Sequence, residues 1–159
     1  MDVRQASIRL ARRAEADAIA ELSRDSIEAE LPWRWRAPEI VRFMESDRHN
    51  VIVAELDGRF AGFAVMGYQE SDAYLALLAV LPAARRVGLA RRMLAWLLKT
   101  ADIAGIARVS VDLREDNLAA RNLYEQAGFR PAKRTALGYY GRVDQLSLCL
   151  ALRATDDSK

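Results

Sequence analysis

Two apolar runs joined by Asp57-Gly58 constrain the fold more than any other feature of the sequence. Val51 to Leu56 precedes the dipeptide and Arg59 to Tyr68 follows it. Asp-Gly between apolar runs is the strongest short-range signal for a β-hairpin, because both residues tolerate the positive φ angles of a tight turn. After another turn at Ser71-Asp72, the apolar run from Tyr74 to Val80 is typical of a buried central strand. The pattern therefore predicts a sheet that is at least partly antiparallel.

The other elements follow from helical and strand periodicity. Apolar residues at helical spacing predict helices at Arg13 to Ile27, Pro38 to Ser46, Gly88 to Ala104 and Leu118 to Ala127. Further strands are predicted at Ile8 to Leu10, Val109 to Leu113, Phe129 to Thr135 and Leu146 to Leu152. The order β-α-α-β-β-β-α-β-α-β-β predicts a mixed α/β (α+β) domain, with a central mixed, partly antiparallel sheet flanked by helices.

Length and composition narrow the class of protein. A chain of 159 residues predicts one domain, here residues 1–153, followed by a disordered tail at 154–159. The net charge of +2, from 24 basic and 22 acidic residues, does not favour nucleic acid as a partner. No apolar run is long enough for a membrane span and the first residues lack an apolar signal core, so we expect a cytoplasmic protein.

Single copies of cysteine and histidine limit the chemistry further. Cys149 excludes an internal disulfide, and its place in an alternating apolar run predicts a structural thiol. His49 leaves no His-rich metal site, and we predict no metal; its position between a helix and a strand predicts a surface loop residue.

The segment from Leu78 to Ala90 is the best candidate for an anion site. It passes from the buried strand through a short loop into the strongest predicted helix, whose N-terminal N–H groups and partial positive charge would attract phosphate. Gly88 would let a ligand approach the backbone closely. Four arginines lie nearby in the sequence: Arg85, Arg86, Arg91 and Arg92. The alternative, a helix-start glycine beside a solvated basic surface, is equally compatible with the loop alone.

The motif Arg85-x-x-Gly88-x-Ala90, after a strand ending in Leu-Ala-Val-x-Pro, resembles the acetyl-CoA signature of the GNAT acetyltransferases. Asn117 and the segment from Asn122 to Phe129 add to the resemblance, which extends from about Ser7 to Leu150. It is closest to the bacterial ribosomal-protein alanine N-acetyltransferase branch. It implies the GNAT fold and acetyl-CoA as co-substrate.

The resemblance also implies which residues bind the cofactor. Backbone groups of Leu78 and Val80 would pair with the pantetheine arm, next to a strand bulge near Ala79. The Asn117 side chain would contact the cofactor, and Arg85 would lie near the pyrophosphate. The backbone N–H groups around the pyrophosphate would be those of Arg86, Val87, Gly88, Leu89 and Ala90.

Acetyl transfer to an amine needs a deprotonated amine, a stabilised oxyanion and a proton donor for the departing thiolate. The resemblance assigns the donor to Tyr124, seven residues after Asn117, and the oxyanion contact to the backbone N–H of Val80, with no covalent intermediate. Without the resemblance, the sequence favours Tyr124 as a core aromatic residue, packed with Leu123 and Ala127.

The base is the least determined role. Asp112 occupies the position where the resembled branch has Glu, but its side chain is one methylene shorter and would reach the amine through a water molecule. The alternatives are that Asp112 is a surface residue paired with Arg108 or Arg114, or that Glu70 or Asp72, at the other side of the strand splay, acts instead.

The acceptor is expected to contact three segments: Glu28 to Trp35, Gly67 to Glu70 and Gly138 to Arg142. Their aromatic residues Trp33, Trp35, Tyr139 and Tyr140 would either frame a pocket or fill the core. Four acidic residues could attract a cationic amine: Glu28, Glu30, Glu70 and Asp72. A protein or peptide amine is the leading acceptor, a small-molecule amine is the second, and an acetyl-CoA-binding module without turnover is the third hypothesis. Monomer and homodimer both remain open.

Overall fold

The computed structural model describes residues 5–153, so the predicted tail at 154–159 lies outside the described residues. The elements are β1 (Ala6–Leu10), α1 (Ala16–Leu22), α2 (Ala37–Glu45), β2 (His49–Leu56), β3 (Arg59–Gln69), β4 (Asp72–Val80), α3 (Leu89–Ile103), β5 (Arg108–Arg114), α4 (Leu118–Gln126), β6 (Arg130–Tyr139) and β7 (Val143–Ala151). Their order is the predicted one. None of the helices within residues 5–153 is both long and apolar enough to cross a membrane.

The seven strands form one sheet in the order β1-β2-β3-β4-β5-β7-β6. The predicted hairpin joins β2 to β3 through Asp57 and Gly58, whose φ angles are 53° and 79°. Only β4 and β5 pair in parallel within the described sheet, because α3 returns the chain to the same end. The sheet is therefore mixed and mostly antiparallel, which confirms the predicted fold class.

Helices cover both faces of the sheet and bury a separate apolar core on each. One core packs α3, through residues such as Met93 and Leu97, against β2 to β5, and it also includes Tyr124 of α4. The other core packs Ile19 of α1 and Ile40 of α2 against the opposite face. Burial of these apolar surfaces is the main stabilising term for a domain of this size.

A β-bulge in β4 organises the centre of the sheet. Val65 faces Leu77 and Met66 faces Leu75, so Ala76 is an extra residue without a partner in β3. One inserted residue moves the following side chains to the other face. Leu75 accordingly packs in the α3 core, whereas Leu77 packs in the core under α1 and α2. The bulge was expected near Ala79, and the structure places it three residues earlier.

Beyond the bulge, β4 and β5 separate. Their pairing ends at Leu75 and Val111, while β4 continues to Val80 beside β3 and β5 continues to Arg114 beside β7. The two strands therefore diverge into a V-shaped opening in the middle of the sheet. The π turn Ser23–Ile27, which ends α1, lies next to this opening.

Candidate active site

The opening between β4 and β5 is a cavity of about 610 Å³. Its walls come from both diverging strands, from the start of α3 and from α4. The predicted cofactor and catalytic residues that line it are Leu78, Ala79, Val80, Arg85, Ala90, Asp112, Asn117 and Tyr124. Residues far apart in the chain are thus brought to one cleft, as the sequence predicted.

The backbone of β4 presents polar groups to this cavity, and one of them, the Val80 carbonyl, accepts a hydrogen bond from Arg85 Nε at 3.3 Å. In an antiparallel pair, alternate residues exchange hydrogen bonds with the partner strand. The N–H of Leu81 donates to the carbonyl of Ala61 at 2.7 Å, which fixes the phase of the ladder. Leu81 therefore bonds to β3, and so does every second residue before it as far as the bulge. Leu78 and Val80 oppose Ala64 and Gly62 in non-bonded pairs, so their N–H and C=O groups point away from β3 and toward the opening. An extended ligand could pair with them like an added strand.

A second cavity of about 410 Å³ adjoins the first at the start of α3 and is lined by Arg86, Gly88, Leu89 and Ala90. Gly88 is the residue before the helix and has a φ angle of 80°, and no side chain caps the helix there. The first N–H groups of α3 therefore have no intrahelical acceptor. A Cβ at Gly88 would meet nothing within 4 Å and would project into open space. This geometry suits an anion.

Three of the four arginines lie at this anion site. Arg85 and Arg91 line both cavities and Arg86 lines the second. Arg92 was expected there too, but its guanidinium lies 3.3 Å from the carbonyl oxygen of Ala6 and binds α3 to β1 instead. Consecutive residues of an α-helix point about 100° apart, so the side chains of Arg91 and Arg92 diverge.

Tyr124 is 5% exposed and lines the main cavity. Its ring packs edge-on against Phe129 at 5.5 Å between centroids. Burial raises the pKa of its hydroxyl far above the ordinary value, with a smaller contribution from Tyr139. The hydroxyl therefore stays protonated at neutral pH and makes no hydrogen bond within the described part of the chain. Tyr124 is a core aromatic residue that also lines the cavity.

Asp112 lies on the polar face of β5 and accepts a hydrogen bond from the Ser147 hydroxyl at 2.6 Å. Asp112 forms no ion pair with Arg108 or Arg114, because Arg108 pairs with Asp72 and Arg114 pairs with Asp116. Ser147 is opposite Asp112 in the β5–β7 register. The sequence did not identify Ser147, because the pairing of β7 with β5 cannot be derived from alternation alone.

The Asn117 side chain has a structural role at this cleft. Its Oδ1 accepts the N–H of Ala120 at 3.1 Å and caps α4. The side chain still lines the main cavity, so its amide N–H₂ group is the part that can contact a ligand.

A third cavity, of about 260 Å³, lies behind the bulge and is called the acceptor-side cavity below. It shares Ala76, Asp112 and Tyr139 with the main cavity, so the two meet at the splayed strands. Trp35 and Tyr140 also line it. Burial, together with the charge of Glu28, raises the pKa of Tyr139 to about 12.

The structure separates the residues that the sequence suggested for the acceptor site. Glu70 lies in the β3–β4 turn and Asp72 begins β4 where this strand pairs with β5, and the segment Gly67 to Glu70 does not line the acceptor-side cavity. Trp33 packs on the core beneath α1 and α2, between Arg24 and Arg36. Of the two alternatives for Trp33, the structure therefore shows packing on the core.

Other residues also differ from expectation. His49 is the first residue of β2 rather than a loop residue, and its ring packs on Phe43, 4.8 Å between centroids. Tyr74 and Gln145 line the acceptor-side cavity without having been identified from the sequence. Cys149 is half-buried in β7, and burial raises the pKa of its thiol.

Comparison with known proteins agrees with this geometry. The model of the Acetyltransferase (GNAT) family matches residues 16–129. An acetyltransferase from Yersinia pestis is 29% identical over 114 residues, which cover 72% of this chain and 81% of that protein.

Solved structures show the same fold. The ribosomal-protein-S18-alanine N-acetyltransferase from Escherichia coli has a TM-score of 0.82 at 23% identity, covering 98% of this chain and 99% of that one. The PaiA N-acetyltransferase from Thermoplasma acidophilum, in complex with coenzyme A, has a TM-score of 0.80 at 14% identity, covering 92% and 99%. Because the family match spans most of the chain, this protein belongs to the acetyltransferase (GNAT) family, with acetyl-CoA as its co-substrate.

Proposed function

We propose that this protein transfers the acetyl group of acetyl-CoA directly to a primary amine in a ternary complex, and that the acceptor is a protein or peptide amine. The observation that carries the proposal is the meeting of two cavities at the splayed strands, with Asp112 and Tyr139 in the walls of both. Cofactor and acceptor can then enter from opposite sides and react where the cavities join.

The cofactor would occupy the main cavity and the anion site. Its pyrophosphate fits the free N–H groups at the start of α3, with Arg85, Arg86 and Arg91 as counter-charges. Its pantetheine arm fits beside the backbone groups of Leu78 and Val80 that point away from β3. The thioester would then lie near the splay, beside Tyr124.

In the proposed reaction the amine nitrogen attacks the thioester carbon and the carbon–sulfur bond breaks. Asp112, through a water molecule, takes the proton that the amine loses. The Val80 N–H stabilises the negative charge on the thioester oxygen. The Tyr124 hydroxyl gives its proton to the departing sulfur, and burial, which raises the pKa of the hydroxyl, keeps that proton in place until the carbon–sulfur bond breaks.

The charges around the acceptor-side cavity support an acceptor with a single amino group. Its ionisable lining consists of Asp112, Arg34 and tyrosines, and the rest is apolar or uncharged. A polyamine or aminoglycoside carries several ammonium groups, and each desolvated one needs an anion nearby. A peptide N-terminus brings one amine on an otherwise uncharged backbone and suits this lining better.

The test is a thiol-release assay with acetyl-CoA and three acceptors: an alanine-first hexapeptide with a free N-terminus, its N-terminally blocked counterpart, and spermidine. We expect turnover on the free peptide and a loss of at least tenfold in kcat/KM on the other two. Turnover on spermidine alone would contradict the peptide assignment. Acetyl-CoA binding without turnover on any amine would support a module without catalysis.

The role of Tyr124 is tested by Tyr124→Phe. Removing the hydroxyl should lower kcat by about 10²- to 10⁴-fold, the usual contribution of a general acid, without weakening acetyl-CoA binding. Tyr68→Phe is the matched control, because Tyr68 carries a half-buried hydroxyl bonded to Asn50 at 2.8 Å away from the cavities. Equal kcat values for Tyr124→Phe and the control would remove Tyr124 from the mechanism.

A further inference from the structure

Two loops form part of the wall of the acceptor-side cavity, and a buried carboxylate joins them. One loop carries Arg34 and Trp35, between α1 and α2, and the other carries Tyr140, between β6 and β7. The carboxylate belongs to Glu28, which is 1% exposed and is the one buried charged side chain among residues 5–153.

Four donors converge on the Glu28 carboxylate. Its Oε1 accepts the N–H groups of Arg34 at 2.6 Å and Trp35 at 3.3 Å. The same oxygen accepts the Tyr140 hydroxyl at 3.1 Å. Its Oε2 accepts the Ser23 hydroxyl at 2.9 Å. Glu28 therefore connects the end of α1 with both loops, one of them 112 residues away in sequence.

The bonds occur without a salt bridge, since no ion pair among the described residues includes Glu28. Burying an ionised carboxylate is costly unless hydrogen bonds satisfy it, and donors to a charged acceptor form bonds about twice as strong as neutral ones. An apolar residue would fill the same space without the desolvation cost. Unlike an apolar residue, the carboxylate accepts hydrogen bonds from both loops and so connects them.

A second contact crosses the same interface. The Arg34 guanidinium lies over the Tyr140 ring, 4.1 Å from its centroid. Tyr140 has a φ angle of 56°, in the left-handed region that non-glycine residues adopt only where the surroundings hold them. The bond to Glu28 and the stacked arginine hold this turn together with its own backbone bond, from the Arg142 N–H to the Tyr139 carbonyl at 3.1 Å.

We propose that Glu28 is a positioning residue for the amine acceptor: it fixes the Arg34–Trp35 loop against the Tyr140 turn and so sets the shape of the acceptor-side cavity. The inference rests on the proposed function for assigning this cavity to the acceptor. It implies that Glu28 affects acceptor binding more than cofactor binding, because the residues that line the anion site belong to other segments of the chain.

The first test changes the Tyr140 turn and measures amide exchange in the Arg34–Trp35 loop. It does not depend on enzymatic activity. In hydrogen–deuterium exchange on the full chain, Tyr140→Phe should speed the exchange of the Arg34 and Trp35 amides by about tenfold, as expected from losing a bond to a charged acceptor. Tyr68→Phe, which loses a hydroxyl elsewhere in the sheet, should leave these amides unchanged. Unchanged exchange in Tyr140→Phe would overturn the inference.

The second test separates positioning from general stability. Glu28→Gln keeps an acceptor for the two N–H groups but loses the charge, so we expect a three- to tenfold higher KM for the alanine-first hexapeptide, with the KM for acetyl-CoA within twofold of wild type. An equal rise in both KM values, or no rise in either, would overturn the inference. If the wild-type protein does not acetylate the hexapeptide, the peptide assignment fails and the exchange experiment still decides the role of Glu28.

Discussion

At the scale of single residues, the bond between Ser147 and Asp112 determines how the proposed base is presented. The serine donates at 2.6 Å to one carboxylate oxygen, which leaves the other oxygen free toward the two cavities. Asp112→Asn keeps the shape but cannot accept a proton, so kcat/KM for the peptide should fall by about 10²-fold or more. Ser147→Ala keeps the carboxylate and should cost less than tenfold. The two values are compared by steady-state kinetics, and an Asp112→Asn protein with near wild-type activity would mean that solvent alone deprotonates the amine.

Residues that line the cavities could be named from the sequence only where a local motif pointed to them. Tyr124 and Asp112 could be named because their spacing from Asn117 follows the chain. Ser147 could not, since it meets Asp112 only through the register of β5 and β7. The sequence suggested that the charge of Glu28 attracts a cationic amine. The fold instead buries this side chain among four hydrogen-bond donors from three segments. Contacts between distant segments depend on packing that periodicity does not encode.

At the scale of elements, the start of α3 makes a sharp prediction about Gly88. An alanine there would be strained at a φ angle of 80°, and its Cβ would project into the proposed pyrophosphate site. Gly58 is a matched control, with a φ angle of 79° and equally open surroundings in the β2–β3 turn. Both alanine variants should lose about 1 kcal/mol of unfolding free energy. Only Gly88→Ala should weaken acetyl-CoA binding, by tenfold or more in calorimetry; equal affinities for the two variants would exclude the backbone at Gly88 from the cofactor site.

The elements themselves were predicted well, whereas the irregularity inside β4 was not. Asp57-Gly58 and the apolar periodicity fixed the hairpin and all four helices to within a few residues, because turn chemistry and amphipathicity are local properties. The position of the bulge cannot be derived from the continuous apolar run of β4, because alanine and leucine fit either face of a strand that is covered on both sides. β6 extends to Tyr139 rather than Thr135 because the strand resumes pairing after an irregular stretch.

At the scale of the whole molecule, buried Tyr124 and half-buried Tyr139 and Tyr140 line the two cavities, and we expect them to lower the unfolding free energy at alkaline pH. Burial raises the pKa of Tyr124, Tyr139 and Tyr140, and that of Tyr139 reaches about 12. In the unfolded chain a tyrosine loses its proton near pH 10. Between about pH 10 and 12 the folded state therefore binds more protons than the unfolded state, and the unfolding free energy falls as the pH rises.

Tyr139→Phe isolates this effect. For a pKa that moves from 10.0 to about 12, the wild-type protein should lose about 1 kcal/mol more than the variant between pH 9 and 11, because phenylalanine has no proton to release. Urea unfolding at the two pH values measures the difference, with Tyr74→Phe as a control at an exposed tyrosine. If Tyr139→Phe and Tyr74→Phe lose the same stability between these pH values, the Tyr139 hydroxyl is exposed to water in solution, and the wall between the two cavities is looser than the packing of the sheet implies.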